Sequence, residues 1–120
     1  MGQIKSFQEL EVWQRAHQLV LAVYQVTKEF PPDERYGLVS QMRRAAVSVP
    51  ANIAEGFKRR GRREKIRFYN IGESSLEEVK YYFILSRDLG YVGGTEERMA
   101  AAETVSRMLY RLIESVESRR

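Results

Sequence analysis

Two adjacent stretches decide how this chain reads: Gln41–Gly56, QMRRAAVSVPANIAEG, and Lys58–Arg67, KRRGRREKIR. The first has the composition of a helix that carries small apolar residues and a proline. The second holds seven Lys or Arg and one Glu, a local charge of +6 in a chain whose formal net charge is +4. Everything outside those ten residues therefore sums to −2. A positive excess gathered in one place is how a protein attracts a polyanion.

Working outward, the prolines are Pro31, Pro32 and Pro50, and glycines cluster at Gly56/Gly61 and at Gly90/Gly93/Gly94. These residues punctuate the chain into four long segments. In the first, from about Gln8 to Phe30, one face carries Leu10, Trp13, His17, Val20 and Tyr24. A second stripe beside it carries Val12, Ala16, Leu19, Val23, Val26 and Phe30. Two stripes mean burial over a wide arc, which predicts a subunit contact as well as a core. The second segment follows Pro31-Pro32, with Asp33 as its expected N-cap and Leu38, Met42, Ala45, Ala46, Val49 and Ile53 as its apolar face. Pro50 predicts a kink, and Gly56 is read as the residue just past the helix end, which is placed between Gly56 and Gly61. The third segment, about Arg62–Leu89, buries Tyr69, Gly72, Leu76, Val79 and Phe83 and is closed by Gly90. Thr95 is expected to cap the fourth, with Glu96 and Glu97 in its first turn and Met99, Ala102, Val105, Leu109, Leu112, Ile113 and Val116 inward. Arg119-Arg120 then end the chain with positive charge. The expected fold is all-α: an antiparallel up-down-up-down four-helix bundle.

A chain of 120 residues and 14.0 kDa is expected to form one domain spanning residues 1–120. It contains no Cys, so disulfides and thiolate metal sites are excluded, and a reducing cytoplasmic setting suits it. The N-terminus lacks an apolar signal region, Gly2 is discounted as a lipidation signal, and no apolar run reaches the roughly 20 residues that span a bilayer. No membrane role is expected.

Catalytic and cofactor chemistry find little to work with. His17 is the only histidine and sits on an apolar stripe, so a zinc site or a di-iron site built from Glu-x-x-His pairs has no donor set, and no metal or cofactor is expected. A nucleophilic triad would need that same His17 as its base, without a motif around it. Glu77-Glu78, Glu96-Glu97 and Glu114/Glu117 have the spacing of solvated helix faces. Gly56 and Gly61 are not followed by the Lys-Ser/Thr of a phosphate loop. No catalytic residue is assigned.

The basic run is different. Lys58, Arg59, Arg60, Arg62 and Arg63 straddle Gly61, at the turn into the third helix. The plainer reading is a solvated turn. Cations at a helix N-terminus oppose its macrodipole, however, and a set that costs local stability suggests a partner. Arg43 and Arg44 either pair with Glu residues of a neighbouring helix or join the same basic surface. Ala45, Ala46, Ser48, Ala51 and Ala54 allow close helix approach, and Asn52 and Glu55 beside them, if buried, would need partners across an interface. A self-associating bundle follows, with a monomer having a tightly packed second helix as the alternative.

The residues Phe7, Leu10, Val12, Trp13, Ala16, Tyr24, Phe30, Pro31, Tyr36, Gly37, Leu38, Gln41, Arg43, Arg44, Ala45, Ser48, Pro50, Asn52, Ile53, Ala54, Glu55 and Gly56 lie in a pattern that resembles a known family. It is the four-helix-bundle family encoded by intervening sequences within bacterial 23S ribosomal RNA genes. Phe68, Ser74, Leu76 and Glu78 fit its third helix. The accessory variability proteins of diversity-generating retroelements look like a branch of the same fold. The resemblance implies a homopentameric barrel, and for the retroelement branch a reverse transcriptase and nucleic acid as partners. Gly72 stands where Ala is usual in the family.

The expectation is thus a non-enzymatic, homo-oligomeric accessory protein that binds RNA or DNA through segment 58–67. Arg59, Arg60, Arg62 and Arg63 would contact phosphates, supported by Lys58, Arg43 and Arg44. Trp13, Gln41, Ser48, Pro50, Asn52 and Glu55 would lie at the oligomer interface. The alternative is a protein-interaction scaffold without a nucleic-acid role.

Overall fold

The computed structural model describes residues 3–119, so Gly2 and Arg120 lie outside the described residues. Four α-helices account for most of them: α1 (Glu11–Thr27), α2 (Leu38–Lys58), α3 (Arg62–Asp88) and α4 (Glu96–Glu117), with 3-10 turns at Phe7–Glu9 and Pro32–Glu34. No strand occurs among the described residues. The most extensive contact joins α2 and α3; α1 packs on α2, α4 on α3, and α1 closes against α4.

The four apolar stripes converge on one helical core. Val12, Ala16, Leu19, Val23 and Val26 of α1 meet Met42, Ala46, Val49 and Ile53 of α2. Tyr69, Leu76, Val79 and Phe83 of α3 and Ala102, Val105, Leu109 and Val116 of α4 complete it. Of the other stripe of α1, Val20 joins the core while Trp13, His17 and Tyr24 stay at the rim. Trp13 lies edge-on to Phe7 and stacks on His17, with centroids 5.1 Å apart and planes within 7°, while Tyr24 is exposed. His17 is therefore an aromatic stacking partner. Pro50 sits inside α2, and the helix continues on both sides of it.

Three helix ends differ from the sequence reading or refine it. Asp33 does not cap α2; it belongs to the preceding 3-10 turn, and α2 starts at Leu38. The cap is Glu34, whose Oε1 accepts the Leu38 N–H at 3.1 Å while its Oε2 accepts the Tyr91 hydroxyl at 2.7 Å. Thr95 occupies the N-cap position of α4, but its hydroxyl makes no capping bond. Gly56 is not past the end of α2 either: it is buried in the last turn, where an added Cβ would lie 2.5 Å from Cε1 of Tyr69. Gly is required there by the close approach of α3, not by a turn. Gly90 fulfils its expected role. With φ at 78°, it lets Tyr91 N–H reach Ser86 O and its own N–H reach Arg87 O, the paired bonds of a Schellman motif.

Candidate nucleic-acid interface

The turn Arg59–Gly61 joins α2 to α3, so the basic run is laid across one end of the molecule. Its cations divide into those with structural partners and those without. Lys65 Nζ donates to the carbonyls of Gly56 at 3.2 Å and Phe57 at 2.8 Å, in the last turn of α2. Arg62 Nη1 donates to the carbonyl of Arg119 at 2.6 Å, with a weaker contact to Glu117 O at 3.4 Å. The start of α3 therefore lies beside the carbonyl ends of α2 and α4, whose partial negative charge favours cations. This corrects the expectation that cations here only cost stability: Lys65 and Arg62 satisfy helix ends of their own fold. A partner would be met by the remaining cations.

Arg59 is also engaged, with its Nη2 2.8 Å from Glu55 Oε1 and its guanidinium 4.6 Å from the ring centre of Phe68. Arg67 approaches the same ring at 5.1 Å and Glu64 at 3.4 Å. Lys58, Arg60 and Arg63 are exposed and have no hydrogen-bond or ion-pair partner among the described residues. Between the start of α3 and the end of α4 lies a cleft of ≈ 560 Å³ lined by Arg60, Arg62, Lys65, Val116 and Arg119, with no carboxylate in its wall among the described residues. Burial, and then the charge of Arg119, hold the Lys65 ammonium pKa below its ordinary value. The larger cause is desolvation of the ammonium, to which the nearby Arg119 charge adds. A concave wall of guanidinium and ammonium groups suits the oxygens of a phosphodiester.

Arg119 is a member of this cleft that sequence reasoning missed as a site residue. Its signal was present as the positive end of the chain, but only the packing of α4 on α3 brings it to Arg60. Arg43 and Arg44 are not brought to this end. They lie at least 14 positions before Lys58 on α2, about 21 Å along a helix. Arg43 pairs with no Glu: its Nε donates to Thr27 Oγ1 at 2.9 Å and its guanidinium covers the Tyr24 ring at 4.4 Å. Arg44 is exposed on the same flank.

Of the residues expected at an oligomer interface, Trp13 is on α1 and the other five are on α2. Trp13 packs at the rim of α1 as described. Gln41 Oε1 accepts the Tyr82 hydroxyl at 2.8 Å. Ser48 Oγ accepts from Ser75 Oγ at 2.8 Å and from Asn52 Nδ2 at 2.9 Å, and Asn52 also donates to Ser48 O. Asn52 thus needs no partner from another chain, and Glu55 is exposed rather than buried. Pro50 is buried within its own helical core. Among the described residues, no group of three or more His, Cys, Asp or Glu is placed to hold a metal ion, and no helix is long and apolar enough to cross a membrane.

The chain matches no curated protein. A solved structure from Bacteroides thetaiotaomicron VPI-5482, described as a protein of unknown function from the S23 ribosomal protein family, shares the fold. It superposes with a TM-score of 0.79 at 19% identity, covering 86% of this chain and 95% of that one. The model of the family described as 23S rRNA-intervening sequence protein matches residues 8–111. With nearly the whole helical core inside that match, the chain belongs to the 23S rRNA-intervening sequence protein family.

Proposed function

We propose that this protein is a non-enzymatic, homo-oligomeric accessory protein that binds RNA or DNA through the α2–α3 end of its helical bundle. The observation that carries the reading is the set of exposed cations Lys58, Arg60 and Arg63, which have no partner among the described residues, beside a cleft to which Arg60 and Arg119 also contribute and whose described lining holds no carboxylate. Such groups neutralise phosphates and position a strand without reading its bases, so binding is strongly salt-dependent and weakly sequence-dependent. Service to a reverse transcriptase of a diversity-generating retroelement is the narrower form of the proposal; a neighbouring reverse-transcriptase gene would favour it. The proposal includes an antiparallel up-down-up-down course, supported by the side-chain pairs Gln41–Tyr82 and Ser48–Ser75 between α2 and α3. It also includes a ring of five copies, supported by the family resemblance.

The test is fluorescence anisotropy with labelled structured RNA, single-stranded RNA and duplex DNA at about 50 and 200 mM salt. A protein neutralising about four phosphates loses roughly a hundredfold in duplex affinity over that range. The variant Lys58→Gln/Arg60→Gln/Arg63→Gln spares the cations that serve helix ends, and its slope should be shallower by about three. Negligible binding by the parent protein to all three probes would refute the nucleic-acid reading.

A further inference from the structure

The cations at the α2–α3 end fall into two chemical groups. Lys58, Arg60 and Arg63 have no partner among the described residues and offer uncompensated charge. Arg59 and Arg67 differ, because each faces a carboxylate of its own helix. Nη2 of Arg59 lies 2.8 Å from Glu55 Oε1, and Nη1 of Arg67 lies 3.4 Å from Glu64 Oε1. What these two present is shape rather than charge. Their guanidinium carbons sit 4.6 and 5.1 Å from the centre of one half-buried ring, that of Phe68. The side chains of Arg59 and Arg67 remain 44% and 61% exposed all the same. A guanidinium that rests on an aromatic ring and keeps so much of its surface in water leaves a flat, weakly hydrated plane open. The uncompensated cations adjoin these planes: Lys58 precedes Arg59, and Arg63 lies one helical turn before Arg67 on α3.

The breadth of this end bears on what can use such planes. The molecule measures 49 × 24 × 21 Å, so an end taken as a whole is 24 × 21 Å across. That is too broad for the major groove of a duplex, about 12 Å wide, or for its minor groove, about 6 Å wide. A duplex laid here offers its phosphates, while its bases, stacked on one another, keep their faces covered along its length. An unpaired base has its faces free, and it stacks on guanidinium planes and aromatic rings.

We infer that Arg59 and Arg67, held on Phe68, are a stacking platform for unpaired bases, and that the nucleic acid taken by this end is a single strand. Its phosphates meet Lys58, Arg60 and Arg63, and its bases meet the guanidinium planes. This rests on the nucleic-acid reading proposed above and adds the form of the strand. Stacking of this kind reads no sequence, since every base has a π-face. It also gives the two paired arginines a use that their ion pairs leave open: a carboxylate occupies the edge of a guanidinium, and a base occupies its plane.

The experiment is fluorescence anisotropy on the full chain with three labelled DNA probes of equal length: a single strand, the same strand abasic throughout, and the corresponding duplex. The abasic strand keeps every phosphate and lacks every base. The parent protein is expected to bind the single strand at least about fivefold more tightly than the abasic strand, and more tightly than the duplex. Arg59→Lys/Arg67→Lys keeps both charges and removes both planes. Circular dichroism confirms that this variant is helical. Its preference for the strand with bases should disappear, while its affinity for the abasic strand and its salt dependence stay at the parent's values. A parent protein that binds none of the probes would overturn this inference and the nucleic-acid reading together. Equal binding of the single and abasic strands, or tighter binding of the duplex, would overturn the inference and leave the nucleic-acid reading standing. A preference for bases that survives in Arg59→Lys/Arg67→Lys would do the same, because the stacking would then lie elsewhere.

Discussion

Lys65 Nζ, on the first turn of α3, donates to the carbonyl of Phe57 on the last turn of α2 at 2.8 Å. One positive side chain thereby serves the negative end of the preceding helix from the positive end of its own. Lys65→Met keeps the aliphatic stem and removes that bond. It should lower the unfolding free energy by about 1 kcal/mol, whereas Arg63→Gln should stay within about 0.5 kcal/mol of the parent. Urea titration followed by circular dichroism compares the two.

Gly56 and Gly72 should respond to alanine with opposite signs. An added Cβ at Gly56 would lie 2.5 Å from the buried Tyr69 ring, so the α2–α3 contact must shift. Gly56→Ala should cost about 1–3 kcal/mol. At Gly72 the nearest atoms, Leu109 Cδ2 and Val49 O, are at 3.6 Å, an ordinary contact distance. Gly72→Ala should stabilise by roughly 0.5–1 kcal/mol through helix propensity and a less flexible unfolded chain. Thermal unfolding of both variants reads the signs directly.

Glu34 makes part of the stability depend on acid. The Tyr91 hydroxyl first, and the Leu38 N–H second, hold its carboxyl pKa below the usual carboxylate value. A folded-state pKa below the unfolded one contributes stability above the unfolded value, and the contribution is lost as pH falls through the folded value. Glu34→Gln keeps the shape but does not titrate. Its melting temperature should fall less steeply than the parent's as pH drops below the ordinary carboxylate pKa, and the two curves should run parallel near neutrality. Parallel curves throughout would remove Glu34 from the acid response.

Arg119→Gln should make the salt dependence of nucleic-acid affinity shallower by about one, roughly equally for all sequences. Arg43→Gln should leave that slope unchanged, because Arg43 faces α1 far from the cleft.

Much of the fold was legible because helical periodicity is a repeated signal. The stripe from Val12 to Val26 and the set Tyr69, Leu76, Val79 and Phe83 are buried as their spacing predicts. The misreadings fall where one residue type serves two purposes. Gly56 has the look of a helix stop, but the ring it admits lies 13 positions further on. Asp33 is a good capping residue by type, yet Glu34 reaches Leu38 because Tyr91, far along the chain, orients it. The basic end was legible as a charge excess. Which of its cations are committed was not, since Arg62 is engaged by the end of α4, 55 residues or more away.

Phe68 lies within reach of two guanidiniums, those of Arg59 and Arg67. Rotational freedom that an arginine loses to an aromatic face during folding is freedom it no longer has to lose at a ligand. In the proposed complex a strand reaching this end would meet side chains already ordered, and would forgo about 0.5–1.5 kcal/mol of immobilisation cost for each of them. In that complex the Phe68 ring would act on affinity through entropy, by way of the two arginines it holds.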